Sequence, residues 1–302
     1  MKKSLVLFPV LSVALPGGAG IFTNAPDADS FVRANAPAAN YGGAGSLSVS
    51  GSAATNSSGV MQGVADSFLR FNTGAMVTSF NSLYGSNNWV IGSAFLNVTE
   101  VTGQMNAIFD EGAGAFAIRW IANTNWTEGS GTPGSPGSTG ITYGGESSLL
   151  NSATDANLGT FTNSNLNIAH SFPLALPTAF ANSLYTSGDT CLFLMALDSA
   201  TGLTFNSRSF GTASARPYLV VSAAPPPGVV SAGFSGPNLI LTSTNANTNA
   251  MYLVLTTTNL SMPASQWIPI LTNTPNANGI FILTVATPPA ATYGEFFIIR
   301  SQ

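Results

Sequence analysis

Charge is scarce in this chain. Only 7% of its 302 residues are Asp, Glu, Lys or Arg, against about 25% in an ordinary soluble domain. Both lysines, Lys2 and Lys3, lie at the very start, and the rest of the chain sets six arginines against twelve acids. That argues against nucleic acid as a partner, because binding a polyanion requires a basic patch. The single cysteine, Cys191, excludes an intrachain disulfide, and its setting "TCLFLMAL" suits a buried, inert thiol. The single histidine, His170, has no Ser-His-Asp set, zinc cluster or phosphate-binding glycine loop around it, so a structural or surface role is expected. No segment beyond the first twenty residues holds the ~18 unbroken apolar residues of a spanning helix.

Hydrophobic residues make up 45% of the chain, ample for buried cores, and polarity is carried by Ser, Thr, Asn and Gly. The start, "MKKSLVLFPVLSVALPGGAG", joins a basic end to a short apolar run and small residues, the pattern of a secretory signal over residues 1–20. The mature protein is expected to be secreted or held at a cell surface, with no integral membrane segment after signal removal. "DSFVRA", "SLSVSG", "DSFLRF", "SAFLNVTEV", "FAIRWIA", "CLFLMALD", "GLTFNS" and "PYLVVSA" have strand length, and several alternate apolar with polar residues. Short helices are predicted over 75–84 and 177–185. Three prolines, Pro225 to Pro227, cannot join a sheet ladder, so a linker is placed at 224–228. Five or six further strands follow, a smaller β-sandwich over 229–302. The expected fold is all-β, a jelly-roll-like β-sandwich over 21–223 followed by that smaller one.

Four ordered stretches resemble the DNRLRE family, a β-sandwich module of secreted bacterial and archaeal proteins that includes carbohydrate-binding modules. They are "DADSFVRANAPAANYGGAGSLSVSG", "SFLRFN", "NWTEGSGTPGSPGSTGITYGG" and "LTFNSRSFGTASARPYLVV". The resemblance spans about 200 residues and implies a jelly roll that binds polysaccharide. The chain departs from the family pattern at Tyr143, where Trp is common, and at Ser209, where an acid often follows Ser-Arg. The last 70 residues are similar to a C-terminal module of secreted planctomycete and verrucomicrobial proteins, which carries no transferable activity.

A sugar presents flat apolar faces rimmed by hydroxyls, so an aromatic platform beside carboxylates or amides is the matching site. Trp126 and Glu128 open the Gly/Ser/Pro-rich loop and Tyr143 closes it; with Tyr41 they form the candidate ligand-binding set. Alternation along "FAIRWIA" turns Trp120 into the core, whereas Trp126, beyond the strand, is expected to be exposed. The opposing possibility makes Trp126 an end-plug with Glu128 tied to an arginine, and the loop interior reads as a flexible connection. Arg70, flanked by Leu69 and Phe71, is expected to be a paired structural residue. Calcium is a candidate ion, with Asp27, Asp29 and Asp155 as possible ligands.

These readings converge on an exported, non-catalytic polysaccharide-binding protein. Low charge and many Ser, Thr and Asn side chains fit a structural or adhesive surface protein that self-associates equally well. A polysaccharide-degrading enzyme is the third possibility, with Glu128, Glu146, Asp110 and Glu111 weighed as carboxylates and a Tyr/Arg lyase left open.

Overall fold

The structure, a computed structural model, describes residues 19–56, 59–86, 88–101, 112–163, 168–226, 228–236, 238–244, 246, 251–259, 261–262, 266–286 and 296–301. The signal-like start up to residue 18, Pro227, and Asp110 and Glu111 lie outside the described residues. In chain order the elements are β1 (Gly20–Asn24), β2 (Ala28–Arg33), β3 (Ser46–Ser50), β4 (Ala65–Asn72), α1 (Gly74–Tyr84), β5 (Val90–Thr99) and β6 (Gly114–Ile121). A single turn α2 (Tyr143–Glu146) follows, then β7 (Ala156–Asn163), β8 (Ala169–Leu174), α3 (Thr178–Tyr185), β9 (Asp189–Ala196), β10 (Gly202–Asn206) and β11 (Tyr218–Ala224). The last six are β12 (Gly228–Ser235), β13 (Asn238–Thr244), β14 (Tyr252–Thr257), β15 (Ile268–Asn273), β16 (Phe281–Ala286) and β17 (Phe296–Ser301).

The chain divides into two compact units. One comprises Ile21–Leu83 and Ser93–Ala223; the other holds Ala224–Gln302, with Tyr84–Gly92 assigned to it. Two antiparallel sheets build the larger unit, one in the order β1-β11-β5-β8 and one in the order β10-β3-β4-β9-β6-β7 with β2 also on β4. In the smaller unit, β12-β13-β16 and β15-β14-β17 form two sheets around Leu239, Leu241, Val254 and Leu283, with Tyr252 stacked on Phe281. The all-β sandwich architecture is therefore as expected. β11 runs to Ala224 and β12 begins at Gly228, so strands occupy both ends of the interval assigned to the linker.

β4 explains why the larger sheet can carry a site. Its sequence, ADSFLRFN, is buried at six of eight positions, which requires cover on both faces. Strand alternation puts Ser67, Leu69 and Phe71 on one face and Asp66, Phe68 and Arg70 on the other. On β9, Leu192 and Leu194 join the first face, Cys191 and Phe193 the second, because Phe68 pairs with Phe193. The first face meets the four-stranded sheet: Phe116 of β6 packs edge-on against Phe172 of β8 at 5.2 Å. Trp120 lies on that face, half-buried, its indole N–H donating to Thr190 Oγ1 at 3.1 Å. The second, outer face is roofed by residues 122–150, which supply Trp126, Ile141 and Leu149 to a cluster with Val32, Phe68, Ile121 and Phe193.

Candidate functional site

The roofing loop is a built structure, not a flexible connection. Asn40, fully buried, donates from Nδ2 to the carbonyls of Glu128 at 2.7 Å and Ile141 at 2.8 Å. Its Oδ1 accepts from the N–H groups of Gly42 at 3.1 Å and Gly131 at 3.2 Å. One side chain thus ties both ends of the loop and its middle. Gly129 has φ +77 and a Cβ there would overlap the Asn40 amide, while a Cβ on Gly131 would overlap the Asn40 carbonyl. These glycines permit close backbone approach; they do not supply slack.

The expected aromatic platform is overturned by this arrangement. Trp126 is only 6% exposed. Its ring lies 5.8 Å from Phe68, its indole N–H points to Cys191 Sγ at 3.3 Å, and the Arg70 guanidinium sits over it at 5.4 Å. Glu128 is gripped by Arg208 through two bonds of 2.9 and 2.8 Å. Tyr41, 3% exposed, is stacked on Phe31 at 4.6 Å. An indole flanked by an apolar sheet and roofed by its own loop gains more from burial than from solvent contact. Of the four proposed ligand-binding residues, only Tyr143 faces an open cleft.

The three aspartates weighed for calcium each take protein donors, although Asp29 keeps one buried oxygen, Oδ1, without a partner. Asp27 receives Arg70 Nε at 3.0 Å and a terminal nitrogen at 2.8 Å. Arg70 also donates to the Trp126 carbonyl at 2.8 Å, so it is the paired structural arginine that its apolar strand predicts. Asp29 accepts the Arg208 backbone N–H at 2.6 Å; burial pushes its carboxyl up to about 7, against that bond and with the Glu128 charge adding to the rise. Asp155 accepts from Ala122 at 3.1 Å and Asn151 at 2.7 Å, closing the base of the loop. His170 is half-buried on β8, stacked on Phe172 at 5.6 Å with Nε2 3.3 Å from the Glu100 carboxylate, a structural placement.

Beside this plug the outer face opens into a cleft of about 480 Å³. Asp66 of β4 and Arg119 of β6 rise from the sheet, Tyr143 and Glu146 come from α2, and Ser50 and Ser199 also line the cleft. Tyr143 and Glu146 are three residues apart on one helical turn, a spacing that aims both the same way. Asp66 is 6% exposed, and burial pushes its carboxyl up to about 8 with the Glu146 charge adding to the rise. Among the described residues no hydrogen bond reaches it. Glu146 is pushed up to about 7 by burial, and its buried Oε2 also lacks a partner. Burial and then these two acids push the Tyr143 phenol up. Arg119 makes no ion pair within 4.0 Å among the described residues, although it lines the same cleft.

Sequence reasoning weighed Glu146 and Tyr143 but passed over Asp66. Its signal was the alternation of "ADSFLRFN", which sets Asp66, Phe68 and Arg70 on one face of a largely buried strand.

No family model and no curated protein matches the chain. Among solved structures it aligns with a β-D-glucuronidase of Dictyoglomus thermophilum at 7% identity and a TM-score of 0.26, covering 94% of this chain and 43% of that one. It aligns with a Ruminococcus gnavus β-glucuronidase at 8% identity and a TM-score of 0.24, covering 95% and 44%. The chain thus spans less than half the length of these proteins, and likeness at this level carries no statement about what it does.

Proposed function

We propose that the chain is an exported, non-catalytic polysaccharide-binding protein that holds a segment of neutral glycan in the cleft on the outer face of the seven-stranded sheet. The observation that carries this reading is one cleft joining an aromatic ring, Tyr143, to buried carboxyls without protein partners, Asp66 and Glu146. A sugar ring matches such a lining: its apolar face meets the phenol and its hydroxyls meet the carboxyls and serines. Both carboxyls are raised by burial, so each can donate as well as accept a hydrogen bond to a sugar hydroxyl. Titrating soluble neutral and anionic glycans into the mature protein tests this. Tyr143→Ala is expected to weaken neutral glycan binding about tenfold, within the range of stacking on an aromatic, with a modest fall in melting temperature because the ring also packs against the Trp126 cluster. Failure of every neutral glycan to bind, or indifference of binding to Tyr143→Ala, overturns the reading.

One observation favours a second reading, a polysaccharide-degrading enzyme. A carboxyl held near or above neutrality is what a general acid of a glycosidase needs, and Asp66 and Glu146 share that state in one cleft. New reducing ends on incubation with a bound glycan, lost in Asp66→Asn, select it.

A further inference from the structure

We infer that Asp66 and Glu146 hold a divalent oxygen-seeking cation, of the calcium class, in the outer-face cleft. The two carboxyls come from separate elements, β4 and the α2 turn, and line one cavity. Asp66 is more than nine-tenths buried with no hydrogen bond from any described residue, and the Glu146 Oε2 is a buried oxygen without a partner. A buried carboxylate oxygen left unpaired is costly; in this unit Asp27, Glu128 and Asp155 take donors at 2.7–3.1 Å, while Asp29 Oδ1 is another buried oxygen without a partner but belongs to a carboxylate that already accepts the Arg208 N–H. The one cation that shares the cleft, Arg119, bonds neither acid.

Hard cations such as Ca²⁺ take six to eight oxygens. Two carboxylates offer up to four and water supplies the rest, because the Ser50 hydroxyl that lines the cleft already donates to the Gly63 carbonyl at 2.8 Å. A bound ion also restores the charged form of two acids that burial otherwise pushes toward neutrality. The competing arrangement is a rotation of Arg119 onto one carboxylate, which needs no metal. The inference uses the cleft but not the glycan, so it stands or falls without any sugar present.

The test is calcium itself. The mature full chain, stripped with chelator, is titrated with CaCl₂ by calorimetry. In parallel it is titrated with Tb³⁺, whose emission is read on excitation of the aromatic residues, since Tyr143 lies in the same cleft. One ion per chain is expected, with affinity on the order of 10⁻⁴–10⁻³ M, the range of sparsely liganded extracellular sites. Calcium should displace Tb³⁺, and either Asp66→Asn or Glu146→Gln should weaken binding at least tenfold while circular dichroism stays native. No heat and no Tb³⁺ emission from the native chain up to millimolar metal overturns the site and favours the Arg119 rotation. Binding that survives in both variants places the ion elsewhere and equally overturns it.

Discussion

The loop over residues 122–150 ends in two clusters built from the same residue types. At its start Trp126 and Glu128 meet Arg70, Arg208, Asp27 and Asp29; at its end Tyr143 and Glu146 meet Arg119 and Asp66. In the first cluster every charged group takes at least one protein donor or acceptor, Asp29 through Oδ2 while its Oδ1 stays unpaired, and the aromatic ring is buried. In the second the acids are buried but unanswered, and the ring faces a cleft. Composition does not separate a plug from a site. What separates them is whether the folded chain completes its own hydrogen bonds.

The largest effect expected from this contrast is on pH dependence. Asp29 in the plug and Asp66 and Glu146 in the cleft keep protons at pH values where the unfolded chain has lost them. The folded state therefore binds more protons from about pH 4 up to pH 7–8, and stability falls as pH rises through that window and levels off above it. At about 1.4 kcal/mol per pH unit for each group, discounted for the solvent that reaches Glu146, the loss between pH 5 and pH 8 is roughly 7 kcal/mol. Urea midpoints measured with chelator present check this. Asp66→Asn should remove more of the slope than Asp29→Asn, because Asp29 retains its Arg208 N–H.

Next in size is Trp126→Ala. Removing a buried indole costs about 3–5 kcal/mol, so the melting temperature should fall by roughly 10 °C. Glycan affinity in the protein that remains folded should be nearly unchanged. A large loss of affinity at an unchanged melting temperature would return Trp126 to the binding surface. Smaller again is Asn40→Ala, which strands two buried N–H groups and two carbonyls; about 3 kcal/mol is expected, and proteolysis within the loop should quicken ahead of global unfolding. If the loop stays as resistant as in the native chain, Asn40 is not what ties it.

Much of this was open to reading from the chain alone. Strand-length runs, several of them alternating, located β2, β3, β4, β5, β6, β9, β10 and β11, and of the two helices Thr178–Tyr185 carried a start signal at Pro177 and a stop signal at Gly188. β1, β7 and β8 went unmarked for physical reasons. β1 and β8 are edge strands, one abutting the signal-like start and one carrying Pro173, which an edge tolerates. β7, also at an edge, buries only two of its eight residues. The loop misled for a different reason. Gly129 and Gly131 look like slack in a sequence, because the Asn40 side chain that fills the space beside them is about 90 positions away. Asp66 was one acid among twelve until the roof over its strand gave it a cavity.

Cys191 lies directly beneath Trp126, fully buried, with its thiol pushed up to about 12 by burial. As the chain's only sulfhydryl, it is a stopwatch for the lifting of the roof. A thiol reagent reaches it only when the indole leaves its seat, so the labelling rate divided by that of the unfolded chain gives the free energy of that local opening. Because the same segment carries α2, a ligand or ion that fixes the cleft would slow the clock without ever touching the sulfur.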